Sequence, residues 1–430
     1  MEAWLARAAR LHGDRLALQT PETSHTYREL HARARGVAAA LIERGVSPGE
    51  RVALVLPSEP LVVALHGCLL AGAVAVPIDL RLREAERAQR TGGAALVLED
   101  LPEGEPGTLS EDEPGTAAGA GEAIATLMFT SGTTAGSKPV ALTYDNWLWN
   151  AIGSALALGL DPAEKWLCPM PLAHVGGLSI QIRSAIYGTT VLLHERFDTE
   201  RALAALADPA ERVTLVSLVP TMLSRLLDAG LRKPPALRRV LLGGGPIAPA
   251  LLRRAQEAGV PVSPTYGMTE ACSQIATDGA PLLGVDLRVA EDGEVLVRGR
   301  TVAPGALAAD GWLHTGDLGA FDEAGRLAIA GRKADTIVTG GENVAPAEIE
   351  AVLLEHPAVA DVAVLGRPDE EWGEAVVAQI VLSDGSSLNA GDLAAHCRAQ
   401  LAAFKVPKRF ETVSAVPRGV TGKLLRRELN

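Results

Sequence analysis

Apolar positions near the N-terminus recur at helical spacing, at Leu5, Ala8 and Ala9 and again at Leu30, Ala34, Val37 and Leu41. Residues 1–50 are therefore expected to be helical, with Thr26 capping the helix that begins Tyr27-Arg-Glu-Leu30. Residues 51–56 read as a buried strand, followed by a helix from about Glu59 and a strand over 73–76. The longest apolar run, 61–76, contains His66 and two glycines and ends at Pro77, which predicts a buried helix running into a strand rather than a membrane span. After a Gly/Pro/acid-rich stretch over 103–122, read as an exposed loop or a disordered segment, the alternation resumes. Strands are expected over 123–129, 190–193, 215–218 and 239–242, and a short one over 260–262, with helices from Asp145, from Pro220 and over 249–257. This is the strand–helix–strand rhythm of a parallel sheet. Past Gly284 the pattern changes to short strands and turns, over 293–298, 312–314 and 327–329. Beyond Gly340 lies a compact α+β module, with Pro346 at the first position of a helix, strands over 359–365 and 376–382, and a helix carrying Leu393, Cys397 and Leu401. The expected fold is α/β. Residues 1–333 form a large N-terminal domain of βαβ-layered sheets plus a small antiparallel β unit, and residues 334–430 a small mobile α+β domain.

Composition sharpens this picture. A chain of 430 residues calls for two or three domains, and with aromatics at only 3% the cores must be filled by Ala, Val and Leu. The net charge of −12 argues against a general nucleic-acid binder. The charge is uneven: residues 404–430 hold seven basic and two acidic side chains, +5 in all, leaving −17 on the remainder. Such a tail serves either as a solvated face or for an anionic ligand. The four cysteines are scattered singly, so neither a zinc site nor a disulfide framework is expected. The N-terminus lacks the apolar core of a signal peptide, and a cytoplasmic protein is expected.

Five stretches carry candidate chemistry. Thr130-Ser131-Gly132-Thr133-Thr134-Ala135-Gly136-Ser137-Lys138 follows a strand, and its backbone N–H groups, hydroxyls and lysine suit a phosphate. Its spacing is not that of a Walker A loop. Leu241-Leu242-Gly243-Gly244-Gly245-Pro246-Ile247-Ala248 lies between a strand and a helix; it formally matches a dinucleotide fingerprint, but Pro246 and the lack of a following acidic residue favour a glycine turn that lets a ligand approach the backbone. In Tyr266-Gly267-Met268-Thr269-Glu270 the tyrosine can stack on a base, the threonine can bond a phosphate and the carboxylate can hold Mg²⁺. Asp317 could accept bonds from two ribose hydroxyls, and Arg332 could pair with ribose or phosphate. Lys423 sits in a glycine-flanked loop near the C-terminus, where the bland alternative is an ordinary exposed lysine.

In this order over the whole chain, the motifs Thr130–Lys138, Tyr266–Glu270, Gly316-Asp317, Gly331-Arg332 and Gly422-Lys423 resemble those of the acyl-adenylate-forming superfamily, which includes acyl-CoA synthetases, luciferases and adenylation domains. The stretches Pro171–Gly188 and Tyr266–Thr277 resemble, within it, the o-succinylbenzoate–CoA ligases of menaquinone synthesis. The resemblance implies ATP, Mg²⁺ and coenzyme A as cofactors and a small-molecule aryl carboxylate as substrate, with no nucleic acid and no membrane; a homo-oligomer is left open. It implies that Lys423 bridges the substrate carboxylate and the α-phosphate, and that Glu270 holds Mg²⁺. It implies too that Thr269 and residues 130–134 hold phosphates and that Asp317 and Arg332 fix the ribose. His174, Gly244 and Arg183 would line the substrate, with Arg183 nine residues after His174 facing a second carboxylate, which a guanidinium can bind bidentately. A helix-surface arginine and a packed or capping histidine are the alternatives. Ala334 would be the hinge, and Gly340 and Gly341 would line the path of the CoA thiol. Two departures from the family pattern, Ala135 and Pro139, put the phosphate loop's contribution in doubt. Other aryl- or acyl-CoA synthetases, and a catalytically silent nucleotide-binding homologue, remain as alternatives.

Overall fold

The computed structural model describes residues 3–102, 121–130, 138–419 and 424–429. The N-terminal part contains two sheets. The larger has nine strands. Its central strands Leu16–Gln19, Thr190–Leu193, Lys165–Cys168, Leu215–Leu218, Arg239–Leu242 and Val262–Met268 run parallel, and antiparallel strands flank them at both ends. The smaller has Leu96–Leu98, Arg51–Leu54, Val74–Pro77 and Ile124–Phe129 in parallel, closed by antiparallel Pro139–Thr143. Pro139 opens that last strand, a position where a missing N–H costs no ladder bond. Between the sheets the helix Ser58–Ala71 is buried nearly all round, with Leu61, Leu65, Cys68 and even His66 out of solvent. This is why its sequence reads as one apolar run. Gly67 lets it approach the neighbouring helix, since a Cβ there would fall 2.6 Å from Val37. No helix among the described residues is long and apolar enough to cross a membrane.

A four-stranded antiparallel sheet, Val285–Val289, Glu294–Gly299, Leu313–Phe321 and Leu327–Arg332, follows. The last module packs helices Pro346–Leu353 and Ala390–Gln400 on a sheet whose longest strands are Val359–Asp369 and Gly373–Leu382. Its core of Ile349, Leu353, Val364, Val376, Ile380 and Cys397 is separate from the others. Pro346 occupies the helix start as expected, and Thr26 makes a full capping box with Glu29.

Two expectations need correction. Residues 1–50 are not helical throughout: Leu16–Gln19 and Ser24–Thr26 are strands, the first paired in parallel with Thr190–Leu193. A four-residue strand is too short to show a period, and a partner 173 residues away leaves no local trace. The strand expected over 260–262 begins at Val262 and continues to Met268, through the Tyr-Gly-Met motif itself.

Candidate active site

Parallel strands end on one edge of a sheet, and loops leaving that edge converge. From the larger sheet these are the turn after Cys168 that leads to His174, the Gly243–Pro246 turn after Leu242, and the Thr269-Glu270 turn after Met268. From the smaller sheet they are the segment after Pro77, which contains Asp79, and the segment after Phe129, which begins with Thr130. Ser131, Gly132, Thr133, Thr134 and Lys423 lie outside the described residues. The edges of their loops are visible. Thr130 N–H donates to the Lys138 carbonyl at 3.1 Å, closing the first loop. Arg418 pairs with Leu424 across the second, and Arg418 Nε donates to Asp361 at 2.8 Å.

The clearest constellation joins three of the motifs. Tyr266 Oη donates to Asp317 Oδ2 at 2.7 Å, and Arg332 Nε meets Asp317 Oδ1 at 2.8 Å. Asp317 and Arg332 are register partners on adjacent strands, so the sheet ladder itself fixes this pair. Arg332 Nη1 also donates to the Thr315 carbonyl at 2.9 Å. Burial, with the charge of Asp317, pushes the Tyr266 hydroxyl well above its ordinary pKa, so it remains a donor. The buried Asp317 carboxylate thus stands between a phenol and a guanidinium. Next to Tyr266 only glycine fits: a Cβ on Gly267 would lie 1.7 Å from the Ser273 carbonyl oxygen.

Thr269 and Glu270 follow in a single 3-10 turn. Glu270 is half-buried, and its side chain has no hydrogen bond or ion pair among the described residues. An uncommitted carboxylate of this kind fits a divalent cation. No cluster of three or more acidic, histidine or cysteine ligands occurs among the described residues, so phosphate and water oxygens would complete the sphere of an Mg²⁺ ion. Gly244 is exposed and Gly245 half-buried, leaving their backbone accessible beside exposed Pro246.

His174 is the N-cap residue of the helix Val175–Tyr187, yet its side chain makes no capping bond. Its Nε2 instead faces Asp79 Oδ2 at 3.5 Å. Arg183, on the same helix, is 1% exposed. It is not a helix-surface arginine. Its Nε and Nη2 donate to Asn150 Oδ1, at 3.2 and 2.5 Å, under the Trp166 ring, and no carboxylate pairs with it among the described residues. Burial lowers its pKa, opposed by Tyr187 and Cys272. Asn150 Nδ2 in turn donates to the Gln274 carbonyl at 3.1 Å, tying Arg183 to the strand just after Glu270.

The expected hinge residue Ala334 lies in a 3-10 turn between two ion-paired residues. Lys333 Nζ meets Asp292 at 2.6 Å and Glu294 at 3.1 Å, on the antiparallel sheet. Asp335 meets Arg426 at 3.0 Å, and Arg426 is bound to Glu350 of the last module at 2.8 Å. Gly340, at φ +58°, has the Trp372 ring 3.0 Å from where its Cβ would be, and Lys408 Nζ lies 4.2 Å from the centroid of that ring. Gly341 is exposed. Sequence reasoning missed Asp79, Arg81, Asn150, Lys333 and Arg426. Only Asp79-Leu-Arg81, polar residues directly after a fully apolar strand, left a signal.

Comparison with known proteins is consistent along the chain. Residues 5–100 and 89–307 match the AMP-binding enzyme family, and residues 348–423 match the AMP-binding enzyme C-terminal domain. A 2–succinylbenzoate–CoA ligase of Bacillus licheniformis is 38% identical, covering 99% of this chain and 98% of its own. The o-succinylbenzoate CoA synthetase (MenE) of Bacillus subtilis, in complex with the acyl-adenylate intermediate OSB-AMP, superposes with a TM-score of 0.88 at 36% identity, covering 100% of this chain and 98% of that one. A double mutant of the same synthetase bound with its product analogue OSB-NCoA, at the same identity and coverages, gives 0.71.

Proposed function

Since the chain belongs to the AMP-binding enzyme family, we propose that it is an AMP-forming acid–thiol ligase that converts o-succinylbenzoate, ATP and CoA to o-succinylbenzoyl-CoA, AMP and pyrophosphate, a step of menaquinone biosynthesis. The Tyr266–Asp317–Arg332 constellation carries the reading. A carboxylate held between a phenol and a guanidinium at the end of a sheet ladder is pre-set to accept from a ribose diol, and this organisation precedes binding.

In the first half-reaction a substrate carboxylate oxygen attacks the α-phosphorus of ATP, and the bond to the β-phosphate bridging oxygen breaks to release pyrophosphate. In the second the CoA sulfur attacks the acyl carbon of the adenylate, and the carbonyl-to-phosphate oxygen bond breaks to release AMP. The protein contributes position and charge. Thr130, Lys138, Thr269 and residues 131–134 hold phosphates, Gly244 to Pro246 offer backbone beside the adenylate, and Glu270 would hold the Mg²⁺ that neutralises the triphosphate when bound. Lys423 brings its ammonium to the reacting carboxylate and α-phosphate. His174, Gly244 and Arg183 form the substrate side. The loop carrying Lys423 must leave before the thiol can enter past Gly340 and Gly341, so residues 334–430 swing about Ala334 relative to residues 1–333. The test is pyrophosphate release with o-succinylbenzoate: stoichiometric with enzyme without CoA and catalytic with it. Release that o-succinylbenzoate fails to stimulate, while another aryl or fatty acid does, would reassign the substrate.

A further inference from the structure

Asp79 belongs to none of the motifs above, and only 7% of it is exposed. It lies just past the end of the Val74–Pro77 strand, and three donors of Arg81 reach it: the backbone N–H at 3.0 Å and Nε at 2.8 Å on Oδ1, and Nη2 at 2.5 Å on Oδ2. Oδ2 also faces His174 Nε2 at 3.5 Å. Burial opposes the charged carboxylate, but the hydrogen bonds and charge of Arg81, with His174 close by, outweigh it and hold the group far below the usual carboxylate range. On the other partner, the backbone is already fixed. His174 N–H donates to the Pro171 carbonyl at 3.2 Å, and its carbonyl accepts from Gly177 and Leu178 at 3.1 and 3.0 Å. What remains free is the rotation of the imidazole and the place of its proton. The ring is turned away from the helix N–H groups that it could cap, and its buried Nε2 has no hydrogen-bond partner among the described residues, Asp79 Oδ2 at 3.5 Å being the acceptor that faces it.

We propose that Asp79 is a positioning residue for His174, clamped by Arg81, which fixes the ring orientation and keeps its Nε2 protonated. When the imidazole carries one proton, an ionised acceptor at Nε2 places that proton there and leaves Nδ1 as an acceptor on the opposite side of the ring. His174 then presents one defined face to the substrate side instead of two interchangeable ones. The proposal rests on the reading that His174 lines the substrate site.

The test compares Asp79→Asn, His174→Ala and the double variant, with kcat and KM measured separately for pyrophosphate exchange and for thioester formation. Asp79→Asn should lower kcat/KM by about 10-fold, the size of a coupling between contacting groups. It should do so in the same half-reaction that His174→Ala impairs, and the double variant should be no worse than His174→Ala alone. Two-bond proton–nitrogen NMR of the His174 ring should show the Nε2–H form in the parent and a mixture of tautomers in Asp79→Asn. Losses that multiply in the double variant, or an unchanged tautomer, would overturn the role of Asp79 while leaving His174 in the site. A His174→Ala enzyme with both half-reactions intact would overturn both. Should Asp79→Asn fail to fold, Arg81→Gln keeps the carboxylate but loosens its clamp, and it should show the same non-additivity with His174→Ala.

Discussion

Two buried side chains, Arg183 and His66, show what a single residue contributes. Arg183 is a cation without a neighbouring carboxylate among the described residues, held only by the Asn150 carbonyl oxygen and the Trp166 face. Such a group is costly to bury, and a second substrate carboxylate would compensate it. Arg183→Met keeps most of the volume and removes the charge. It should raise KM for o-succinylbenzoate by about 10- to 100-fold, the range of a charged hydrogen bond, and change KM for benzoate much less. Parallel changes for the two acids would mean that Arg183 supports Asn150 and not the substrate. His66 is a different case. Burial, with the charge of His31, lowers its pKa to about 4 from an ordinary 6.5. The unfolded chain therefore takes up a proton as pH falls through 6.5, and the folded chain does not until about 4. Its contribution is full above the unfolded value and is lost as pH falls between the two, a difference of about 3 kcal/mol. Urea unfolding between pH 7.5 and 4.5 should show this decline, with a shallower slope for His66→Gln. Equal slopes would show that His66 is not the group responsible.

At the scale of elements, the turn at Ala334 suits the hinge proposed for it, although the residue is uncharged. The charges stand on either side of it: Lys333 is tied to Asp292 and Glu294, and Asp335 through Arg426 to Glu350. Each neighbour is anchored to a different module, so the proposed rotation would be confined to the residue between them. Ala334→Pro, which fixes φ there, should slow thioester formation by about 10-fold or more and leave pyrophosphate exchange within about 2-fold. Equal effects on both would place the swivel elsewhere. The elements themselves were legible where they carry a period or a cap, as with the Ser58–Ala71 helix, Pro346 and the Thr26 capping box. The motif residues Tyr266, Asp317 and Arg332 were legible too. Their union was not, because the register of the Leu313–Phe321 and Leu327–Arg332 strands decides it. Lys333 and Arg426 were invisible for a related reason. An ion pair between distant residues leaves no spacing in a sequence, and exposed-looking Lys, Arg and Asp are the commonest surface residues.

For the whole molecule the arrangement of the two modules matters most. The chain superposes better on the acyl-adenylate complex of its Bacillus subtilis relative than on the product-analogue complex, although identity and coverage are the same. A rigid part that rotates as a unit lowers such a score without altering either part, so the swing proposed about Ala334 would produce a difference of this kind. Among the contacts that span the two modules, Arg253 Nη2 on the helix Pro249–Glu257 meets Glu355 Oε1, just after the helix Pro346–Leu353, at 2.8 Å. The Arg253 side chain is 58% exposed, and an exposed pair of this kind contributes only about 0.2–1 kcal/mol, so the contact marks the arrangement without locking it. A covalent link would lock it. The native cysteines, Cys68, Cys168, Cys272 and Cys397, are all buried, so a cysteine pair placed at Arg253 and Glu355 is what a short bismaleimide would reach. The linked enzyme should still release one equivalent of pyrophosphate with o-succinylbenzoate and ATP. It should then form thioester at least about 10-fold more slowly than the same variant left unlinked, because the Lys423 loop cannot leave. Thioester formation at the unlinked rate would show that both half-reactions run in one arrangement, and the swing about Ala334 would have to be abandoned.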